Sequence, residues 1–382
     1  MANRLLTSRR TVLAGGLVAT GLAGLPHLHT ALAQASPRRV VRRPTPLVAE
    51  CDLSGIGGWV TPNDAFPILT SIADPLPAIE TAQWQLALGG NIEQPFTLDY
   101  AALRALPART VAAVVECAGN SRNTVSPPLA RSFLGNGFVG NAEWRGVPLA
   151  VLLQRARLKP NTQAVVLEGA DRGKPAFANE EVNFAKSLPV EKALHPDTLV
   201  VYEMNGAPLP RELGGPVRMI VPGWYGTYQV KWITRIAVLD RSFDGVFMTR
   251  TWRLGRRRDG FLHEDSVTQI AVKSLIFGPM ADAKLTVGSQ RIFGAAWSGG
   301  RDIASVQVST DAGKSWQLAQ LGEAHGPYSW RLWELPWQPA SGKHMLMARA
   351  TDTAGISQPF AYDLDLRGFE VNQIQSVPVE VV

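Results

Sequence analysis

The sequence predicts an α+β protein in which a mixed α/β domain is followed by an immunoglobulin-like β-sandwich. The 382 residues include 35 Gly, 27 Pro and 11 Trp, a composition typical of strands and tight turns rather than of long helices. Between residues 81 and 264, short alternating apolar runs are mixed with runs of helical spacing. From residue 265 to residue 382 we find only short alternating runs separated by turns, which is typical of a sandwich.

Residues 1–33 have the layout of an export signal. Arg9 and Arg10 precede a mildly apolar run over residues 13–25, and residues 31–33 (Ala-Leu-Ala) offer a cleavage site. The paired arginines indicate the twin-arginine (Tat) route, which carries proteins already folded and often already loaded with a cofactor. The apolar run is too short to span about 30 Å of hydrocarbon. We expect a periplasmic protein with no integral membrane segment after signal removal.

The following residues divide into an N-terminal arm and two domains. Residues 34–80 are rich in Pro and Gly, and we predict an extended arm that wraps over the next domain. In residues 81–264, helical spacing predicts helices over 98–106 and 148–158. Predicted strands of this domain cover 84–88, 111–116, 164–167, 199–202, 217–221 and 230–239. Predicted strands of residues 265–382 cover 284–287, 306–308, 316–319, 330–333 and 345–350.

Composition excludes several classes of protein. Hydrophobic residues at 46% and charged residues at 18% exclude a disordered or fibrous chain. The net charge of +6 arises because no acidic residue precedes Glu50, and the basic residues before it lie in a Pro-rich tail, so we expect no nucleic-acid binding. Two cysteines are too few for a disulfide framework, a zinc ribbon or a cysteine-held iron–sulfur cluster, and no C-x-x-C-H motif for covalent haem occurs.

Cys117 is the residue that best fits a chemical role. It follows a predicted apolar strand and opens the loop Cys117-Ala118-Gly119-Asn120-Ser121-Arg122. A thiolate near neutral pH needs a positive charge or a metal beside it. The residues alone leave three interpretations: a buried structural cysteine, a nucleophile with a histidine base, or a soft thiolate ligand to a metal cofactor. The histidines available as a base, none of them in a recognisable motif, are His195, His263, His325 and His344.

The loop around Cys117 resembles the molybdenum-cysteine loop of the sulfite oxidase family of molybdopterin-dependent oxidoreductases. Residues 140–149 (Gly-Asn-Ala-Glu-Trp-Arg-Gly-Val-Pro-Leu) resemble a second motif of that family. Residues 202–232, with Pro216-Val217-Arg218 and Val230-Lys231-Trp232, are similar to its pterin-binding segment. Residues 296–316 resemble its C-terminal dimerisation domain, so the resemblance covers roughly residues 60–376.

The resemblance implies a cofactor, partners and site residues. The cofactor would be one molybdenum ion on molybdopterin, with Cys117 as the protein ligand to the metal and Arg122 orienting a small-molecule substrate. The residues expected to hold the pterin and its phosphate are Asp171, Arg218, Gln229, Val230 and Lys231. Because we expect no haem or iron–sulfur cluster in this chain, electrons would leave to a separate carrier, such as a c-type cytochrome. The C-terminal domain would form a homodimer.

The cationic substrate pocket of the family is only partly present here. Arg122 is kept, but apolar or small residues stand at the other family positions. These are Leu69 and Ser376 for arginines, Ser71 and Leu213 for histidines, Leu134 for a tryptophan, and Trp252 for a tyrosine. Charge-assisted hydrogen bonds contribute about 1.5–3 kcal/mol each, so we expect a substrate that is less anionic or bulkier than sulfite. Arginines from a nearby loop (Arg253, Arg256, Arg257, Arg258) are candidates to restore the charge.

Two alternative functions remain open at this point. One is a true sulfite dehydrogenase or sulfite oxidase with a rearranged anion site. The other is a catalytically silent scaffold that keeps the fold and the pterin, against which the retention of Cys117, Arg218 and Lys231 argues. Cys51 is expected to be a free thiol of minor structural importance, because a Cys51–Cys117 disulfide would remove the metal ligand.

Overall fold

The computed structural model describes residues 38–382 except Pro128, Ala130 and Arg131. The predicted export signal over residues 1–33 lies outside the described residues. In the described part of the chain, no helix is both long enough and apolar enough to cross a membrane.

Strands dominate the structure up to residue 266, and its helices are short. The strands are β1 (Arg39–Arg43), β2 (Val48–Cys51), β3 (Ile68–Leu69), β4 (Gln85–Gly90), β5 (Phe96–Asp99), β6 (Arg109–Glu116), β7 (Val139–Pro148), β8 (Ala164–Gly173), β9 (Val182–Pro189), β10 (Leu199–Met204), β11 (Ala207–Pro208), β12 (Arg218–Ile220), β13 (Ile233–Leu239), β14 (Arg253–Arg258) and β15 (Phe261–Ser266). The α-helices are α1 (Tyr100–Arg104), α2 (Leu149–Ala156), α3 (Val190–Leu194) and α4 (Val246–Thr249). Single 3₁₀ turns cover Leu53–Gly55, Thr81–Gln83, Arg122–Thr124, Arg211–Leu213, Gly226–Tyr228 and Leu364–Leu366.

The prediction of a mixed α/β domain is only partly right, because the described residues are mostly β. The helix predicted over 98–106 is reduced to α1, since Asp99 still pairs with β4 and its side chain caps the helix by accepting from the Ala102 N–H. The helix predicted over 148–158 begins after Pro148 and ends before Arg157, whose φ of +54° is left-handed. Neither run is long enough to form more than about two turns.

Two five-stranded sheets enclose the core of this first part. One has the order β11-β10-β7-β6, with β12 also paired to β10, and the other has the order β5-β4-β13-β8-β9. Their facing side chains, together with Leu152 and Leu153 of α2, form one apolar cluster in which Leu86, Val200 and Ile236 are fully buried. Burying this surface holds the strand ends, and the loops that leave them, in fixed positions.

The predicted N-terminal arm contains a small sheet. Strands β1, β2 and β3 pair antiparallel in that order, and the register places Arg43 opposite Val48 and Val48 opposite Leu69. Ala49 and Ile68 of this sheet pack into an apolar cluster with Trp144 and Leu199 of the first five-stranded sheet. The arm therefore forms one wall of the protein interior.

The C-terminal part is a two-layer β structure. Its strands are β16 (Lys273–Gly278), β17 (Ala283–Leu285), β18 (Gln290–Trp297), β19 (Ile303–Ser309), β20 (Gln317–Leu318), β21 (Gln320–Leu321), β22 (Arg331–Trp337), β23 (Gly342–Asp352) and β24 (Gln375–Val381). The sheets have the orders β16-β18-β22-β21 and β17-β24-β23-β19-β20. Side chains of both sheets, such as Ile292 and Leu346, form one core. This agrees with the predicted β-rich sandwich, and the immunoglobulin-like topology stays a prediction.

Candidate active site

A cavity of about 310 Å³ opens where the loop after β6, the arm sheet, the end of β8, the segment after β12 and the residues just before β14 meet. Five of the predicted site residues line it directly: Cys117, Arg122, Asp171, Arg218 and Lys231. Gln229 also lies on its wall. The fold therefore brings together side chains that are more than one hundred positions apart in the sequence.

Cys117 stands at the end of β6, where the chain leaves the sheet. Its N–H donates to Phe138 O at 2.9 Å, and its carbonyl accepts from the Asn120 N–H at 2.9 Å. The Gly119 N–H points back to Cys117 Sγ at 3.4 Å. Burial raises the pKa of the Cys117 thiol, while the Gly119 N–H and the Arg122 guanidinium act in the opposite direction. Because desolvation dominates, a metal is the partner that would stabilise a thiolate here.

A buried ion pair braces the Cys117 loop against the C-terminal part. Glu116 Oε1 accepts from Lys273 Nζ at 3.0 Å and from Asn120 Nδ2 at 3.1 Å, and Glu116 Oε2 accepts from Trp297 Nε1 at 2.8 Å. The side chains of Lys273 and Glu116 are only 3% and 2% exposed. A buried charge pair with this many hydrogen bonds holds its elements in one arrangement.

Arg122 is held by the C-terminal segment. Its Nε donates to Gly368 O at 2.7 Å, and its guanidinium lies 4.7 Å from the centre of the Phe369 ring. A Cβ on Gly119 would lie 2.9 Å from Arg122 Nη2 and 2.8 Å from Leu134 Cδ1, so the loop needs glycine for this close approach. Arg122 is therefore fixed beside Cys117 without a carboxylate partner in the described structure.

Buried cations with few protein partners mark the opposite end of the cavity. Arg218, only 4% exposed, donates from Nη1 to Leu213 O at 2.6 Å and from Nη2 to Gln229 O at 3.1 Å, and its Nε has no partner in the described structure. Burial lowers the pKa of Arg218 to about 9. Among the described residues, the hydrogen-bond acceptors of Lys231 Nζ are Thr70 Oγ1 at 3.4 Å and Glu212 O at 3.3 Å.

Asp171 is the buried acid at this end. Its side chain is 4% exposed, and its Oδ1 has no hydrogen-bond partner in the described structure. Burial raises the pKa of the Asp171 carboxyl, and burial lowers the pKa of the Lys231 ammonium, while each group partly stabilises the charge of the other. A Cβ on Gly169 would lie 2.4 Å from Asp171 Oδ1, so this turn also depends on glycine.

Two of the predicted cofactor contacts differ from expectation. The Gln229 side-chain amide is used by the backbone: its Oε1 accepts from the Val221 N–H at 2.6 Å, and its Nε2 donates to Val221 O and Trp224 O. Gln229 thus braces its loop and presents its backbone to the cavity. Val230 is 1% exposed, packs in the apolar core and does not line the cavity. Its carbonyl accepts from the Met219 N–H. The strand predicted over 230–239 begins only at Ile233.

The positions that depart from the family pattern mostly line the same cavity. These are Leu69, Ser71, Leu134, Leu213 and Trp252. Ser376 is different, because it lies on β24 opposite Met347 and is exposed, whereas the C-terminal residue on the cavity wall is Phe369. The arginines expected to restore the charge from a loop lie on strand β14 and face acids. Arg256 pairs with Glu370 at 2.6 Å and Arg257 with Asp365 at 2.7 Å, so neither is free for a substrate.

Thr227 and Arg43 are among the lining residues that escaped the sequence interpretation. Thr227, in the 3₁₀ turn Gly226–Tyr228, has a buried Oγ1 with no partner in the described structure. The only signal was its place directly after the motif that ends at Gly226. Arg43 also lines the cavity, although its basic, Pro-rich surroundings predicted a solvated tail.

The alternatives left open for Cys117 can be tested against this geometry. All four histidines after residue 33 are described, and none lines the cavity, so the described structure provides no base for a cysteine nucleophile. Cys51 and Cys117 are both unpaired, as expected. Burial raises the pKa of Cys51 to about 12, so it stays a neutral thiol.

The donor set fits a pterin-bound metal. No cluster of three or more His, Cys, Asp or Glu that could hold a metal ion occurs in the described ranges, so Cys117 would be a single protein ligand and the cofactor would supply the others. The unpartnered Arg218 Nε, Asp171 Oδ1 and Thr227 Oγ1 all face this one cavity. Buried polar atoms need partners, and a phosphorylated heterocycle carries donors and acceptors for all three.

Comparisons with known proteins agree with this geometry. Residues 73–247 match the model for the oxidoreductase molybdopterin binding domain, and residues 264–381 match the Mo-co oxidoreductase dimerisation domain. The mitochondrial sulfite oxidases of Drosophila melanogaster and Mus musculus are 34% and 32% identical to this chain over 94% of it, and the chain spans 64% and 67% of their lengths.

A solved structure gives the same result for the fold. The sulfane dehydrogenase SoxCD from Paracoccus pantotrophus superposes with a TM-score of 0.79 at 26% identity, covering 95% of this chain and 92% of that chain. Together with the two domain models, these similarities confirm the predicted family and the predicted molybdenum–molybdopterin cofactor. The chain belongs to the sulfite oxidase family of molybdopterin-dependent oxidoreductases.

Proposed function

We propose that this chain is an exported molybdenum–molybdopterin oxidoreductase that oxidises, or transfers an oxygen atom to, a small sulfur-containing substrate less anionic or bulkier than sulfite. The observation that carries the proposal is the wall around Cys117. Leu69, Leu134, Trp252 and Phe369 make it largely apolar. Arg122 is the cation beside the thiol, so the site favours a substrate with an apolar body and little charge near the reacting sulfur.

The residues of this chain have distinct roles in such a reaction. The bound cofactor would supply the two-electron chemistry of molybdenum. Cys117 would anchor the metal, and Arg218, Lys231 and Asp171 would hold the pterin and its phosphate with buried charge and hydrogen bonds. Arg122, fixed by Gly368 O, would orient the substrate. The balanced reaction is substrate sulfur plus water giving the S-oxide, two protons and two electrons.

The remaining parts of the proposal concern location and partners. The twin-arginine pattern of residues 1–33 supports a periplasmic location. Electrons would pass one at a time to a separate carrier, such as a c-type cytochrome, and the C-terminal part would form a homodimer. The similarity of residues 264–381 to a dimerisation domain supports the last point.

Two alternatives are kept because specific observations favour each. The 34% identity to a mitochondrial sulfite oxidase and the presence of Arg122 favour sulfite as substrate. The many changed pocket positions favour a catalytically silent pterin-binding scaffold. The unpartnered charges at the pterin end favour binding of the cofactor, and the presence of Cys117 beside it favours an active enzyme over the scaffold.

An anaerobic assay of the Tat-exported, metal-loaded protein separates these functions. Molybdenum content is measured first, and the metal's redox change is then followed with sulfite, thiosulfate, organic sulfoxides and N-oxides. We expect about one molybdenum per chain and faster reaction with a bulkier sulfur compound than with sulfite. Sulfite turnover at a micromolar KM would contradict the apolar wall as the determinant, and a molybdenum-free exported protein would favour the scaffold.

A further inference from the structure

The arginines of the N-terminal sheet differ in what they contact. Arg38 lies 3.9 Å from Asp52, Arg39 pairs with Glu212 at 2.9 Å, and Arg42 pairs with Glu50. Arg43, the last residue of β1, donates to two backbone carbonyls, Pro46 O at 3.0 Å and Thr70 O at 3.2 Å. No carboxylate lies within 4 Å of its guanidinium in the described parts of the chain.

Arg43 is also the arginine of this sheet that faces the cofactor cavity. The strand register places Arg43, Val48 and Leu69 in one row across β1, β2 and β3, and all three line the cavity. Neighbouring strands are about 4.8 Å apart, so the backbone of Arg43 lies about 10 Å from that of Leu69. The side chain of arginine is long enough to cover much of this separation.

The neighbours of Arg43 lie on both sides of it: Thr70, whose carbonyl accepts from Arg43, also accepts from Lys231 Nζ through its hydroxyl. The Arg43 guanidinium lies 5.8 Å from the centre of the Phe133 ring, and Phe133 is 45% exposed. The next residue, Leu134, packs against the Gly119 turn beside Cys117. Arg43 therefore lies on the arm-sheet wall, between the exposed Phe133 ring and Thr70.

We propose that Arg43 is a specificity-determining residue that binds an oxyanion group of the substrate at the arm-sheet wall of the cavity. This inference rests on the proposed function and narrows its substrate class to sulfur compounds whose anionic group is separated from the reacting sulfur by an apolar body. The apolar wall would accept that body, Arg122 would lie beside the sulfur, and Arg43 would bind the distant sulfonate or carboxylate. A fixed guanidinium suits two-point binding of such a group.

The test uses inorganic sulfate, an oxyanion that the enzyme cannot oxidise further. Its affinity for the holoenzyme is measured by calorimetric titration at low ionic strength, with the molybdenum content of each sample determined. We expect Arg43→Met to raise the sulfate Kd by about 10-fold to 100-fold, the range for losing a charge-assisted hydrogen bond. Arg43→Lys should keep part of the affinity because it keeps the charge. Arg38→Met, a change at an exposed arginine that immediately precedes strand β1, should leave the Kd unchanged.

Several outcomes would overturn the inference. One is equal sulfate affinity in the wild-type holoenzyme and in Arg43→Met, and another is no measurable sulfate binding by the wild-type holoenzyme. Loss of molybdopterin from Arg43→Met with an unchanged sulfate Kd would assign Arg43 to the cofactor instead. Thermal unfolding of each variant shows whether the 43–48 turn has been disturbed, and Arg43→Lys provides the folded comparison. Because sulfate binding needs no turnover, a holoenzyme that binds sulfate through Arg43 but oxidises no sulfur compound would contradict the proposed function alone.

Discussion

The two ends of the cavity differ in how their buried charges are satisfied. At the Cys117 end, Glu116 accepts hydrogen bonds from Lys273, Asn120 and Trp297. At the pterin end, Arg218 Nε and Asp171 Oδ1 are buried without partners in the described structure. Unpaired buried polar groups are costly, so we expect the cofactor to supply partners for Arg218 and Asp171, whereas Glu116 already finds its partners within the protein.

Breaking the brace at the Cys117 end should have the largest effect on stability. Lys273→Met leaves the Glu116 carboxylate buried without its charge partner, and such changes cost about 3–5 kcal/mol. Urea unfolding of the cofactor-free protein measures this cost. The matched control is Arg291→Met, which removes the exposed Arg291–Glu334 pair at 3.2 Å and should cost less than about 1 kcal/mol. A similar small cost for Lys273→Met would show that the brace is not a stabilising element.

Lys186 is a buried cation that does not line the cavity, so it can be compared with the buried cations that do. Its Nζ donates to Phe247 O at 2.8 Å and lies 4.5 Å from the Tyr228 ring. Burial, with the charge of Arg253 as a smaller cause, lowers the pKa of Lys186 from 10.5 to about 7.

The sign of the resulting pH dependence follows from proton binding. Between pH 7 and pH 10.5 the unfolded chain binds more protons at Lys186 than the native state, so native stability rises with pH by on the order of 4 kcal/mol. Below pH 7, Lys186 is protonated in both states, and the native state carries the full free-energy cost of burying its ammonium group. The difference in unfolding free energy between wild type and Lys186→Met, measured from pH 7 to 10, should show this slope with or without cofactor. A difference independent of pH would mean that the Lys186 ammonium is not desolvated.

Arg218 tests the pterin end with a smaller expected effect. Arg218→Met removes a charge that lacks a carboxylate partner, so the cofactor-free protein should lose little stability or gain some. Cofactor retention should fall by about 10-fold to 100-fold, because a charge-assisted contact to the cofactor phosphate contributes about 1.5–3 kcal/mol. Molybdenum retained after dialysis, compared with retention in Arg235→Met as an exposed control, measures the change. Equal retention would remove Arg218 from the cofactor site.

The parts of the site that local sequence determines were predictable. A short apolar run identified strand β6, and the glycine-containing run after it identified the Cys117 loop. The charged residues Asp171, Arg218 and Lys231 could be assigned because they lie inside long motifs of a known family. The short helices were overestimated, since a helical run says little about where a cap or a paired strand will end it.

The remaining features depend on tertiary contacts that spacing does not encode. Glu116 and Lys273 meet although they are 157 positions apart. Arg43 reaches the cavity only because the register of a three-stranded sheet aligns it with Leu69. Gln229 matched its motif, but its amide is used by the backbone of the same loop. Residue type alone could not show which polar atoms the protein satisfies by itself.

The central claim is that Cys117, in the loop braced by the Glu116–Lys273 pair, is the protein ligand to molybdenum. X-ray absorption at the molybdenum edge of the loaded Cys117→Ser variant tests it directly, with Cys51→Ser as the control. The account predicts one sulfur ligand fewer and at least a thousandfold loss of turnover for Cys117→Ser, with the Cys51→Ser spectrum unchanged. An unchanged sulfur count and full turnover in Cys117→Ser would contradict it.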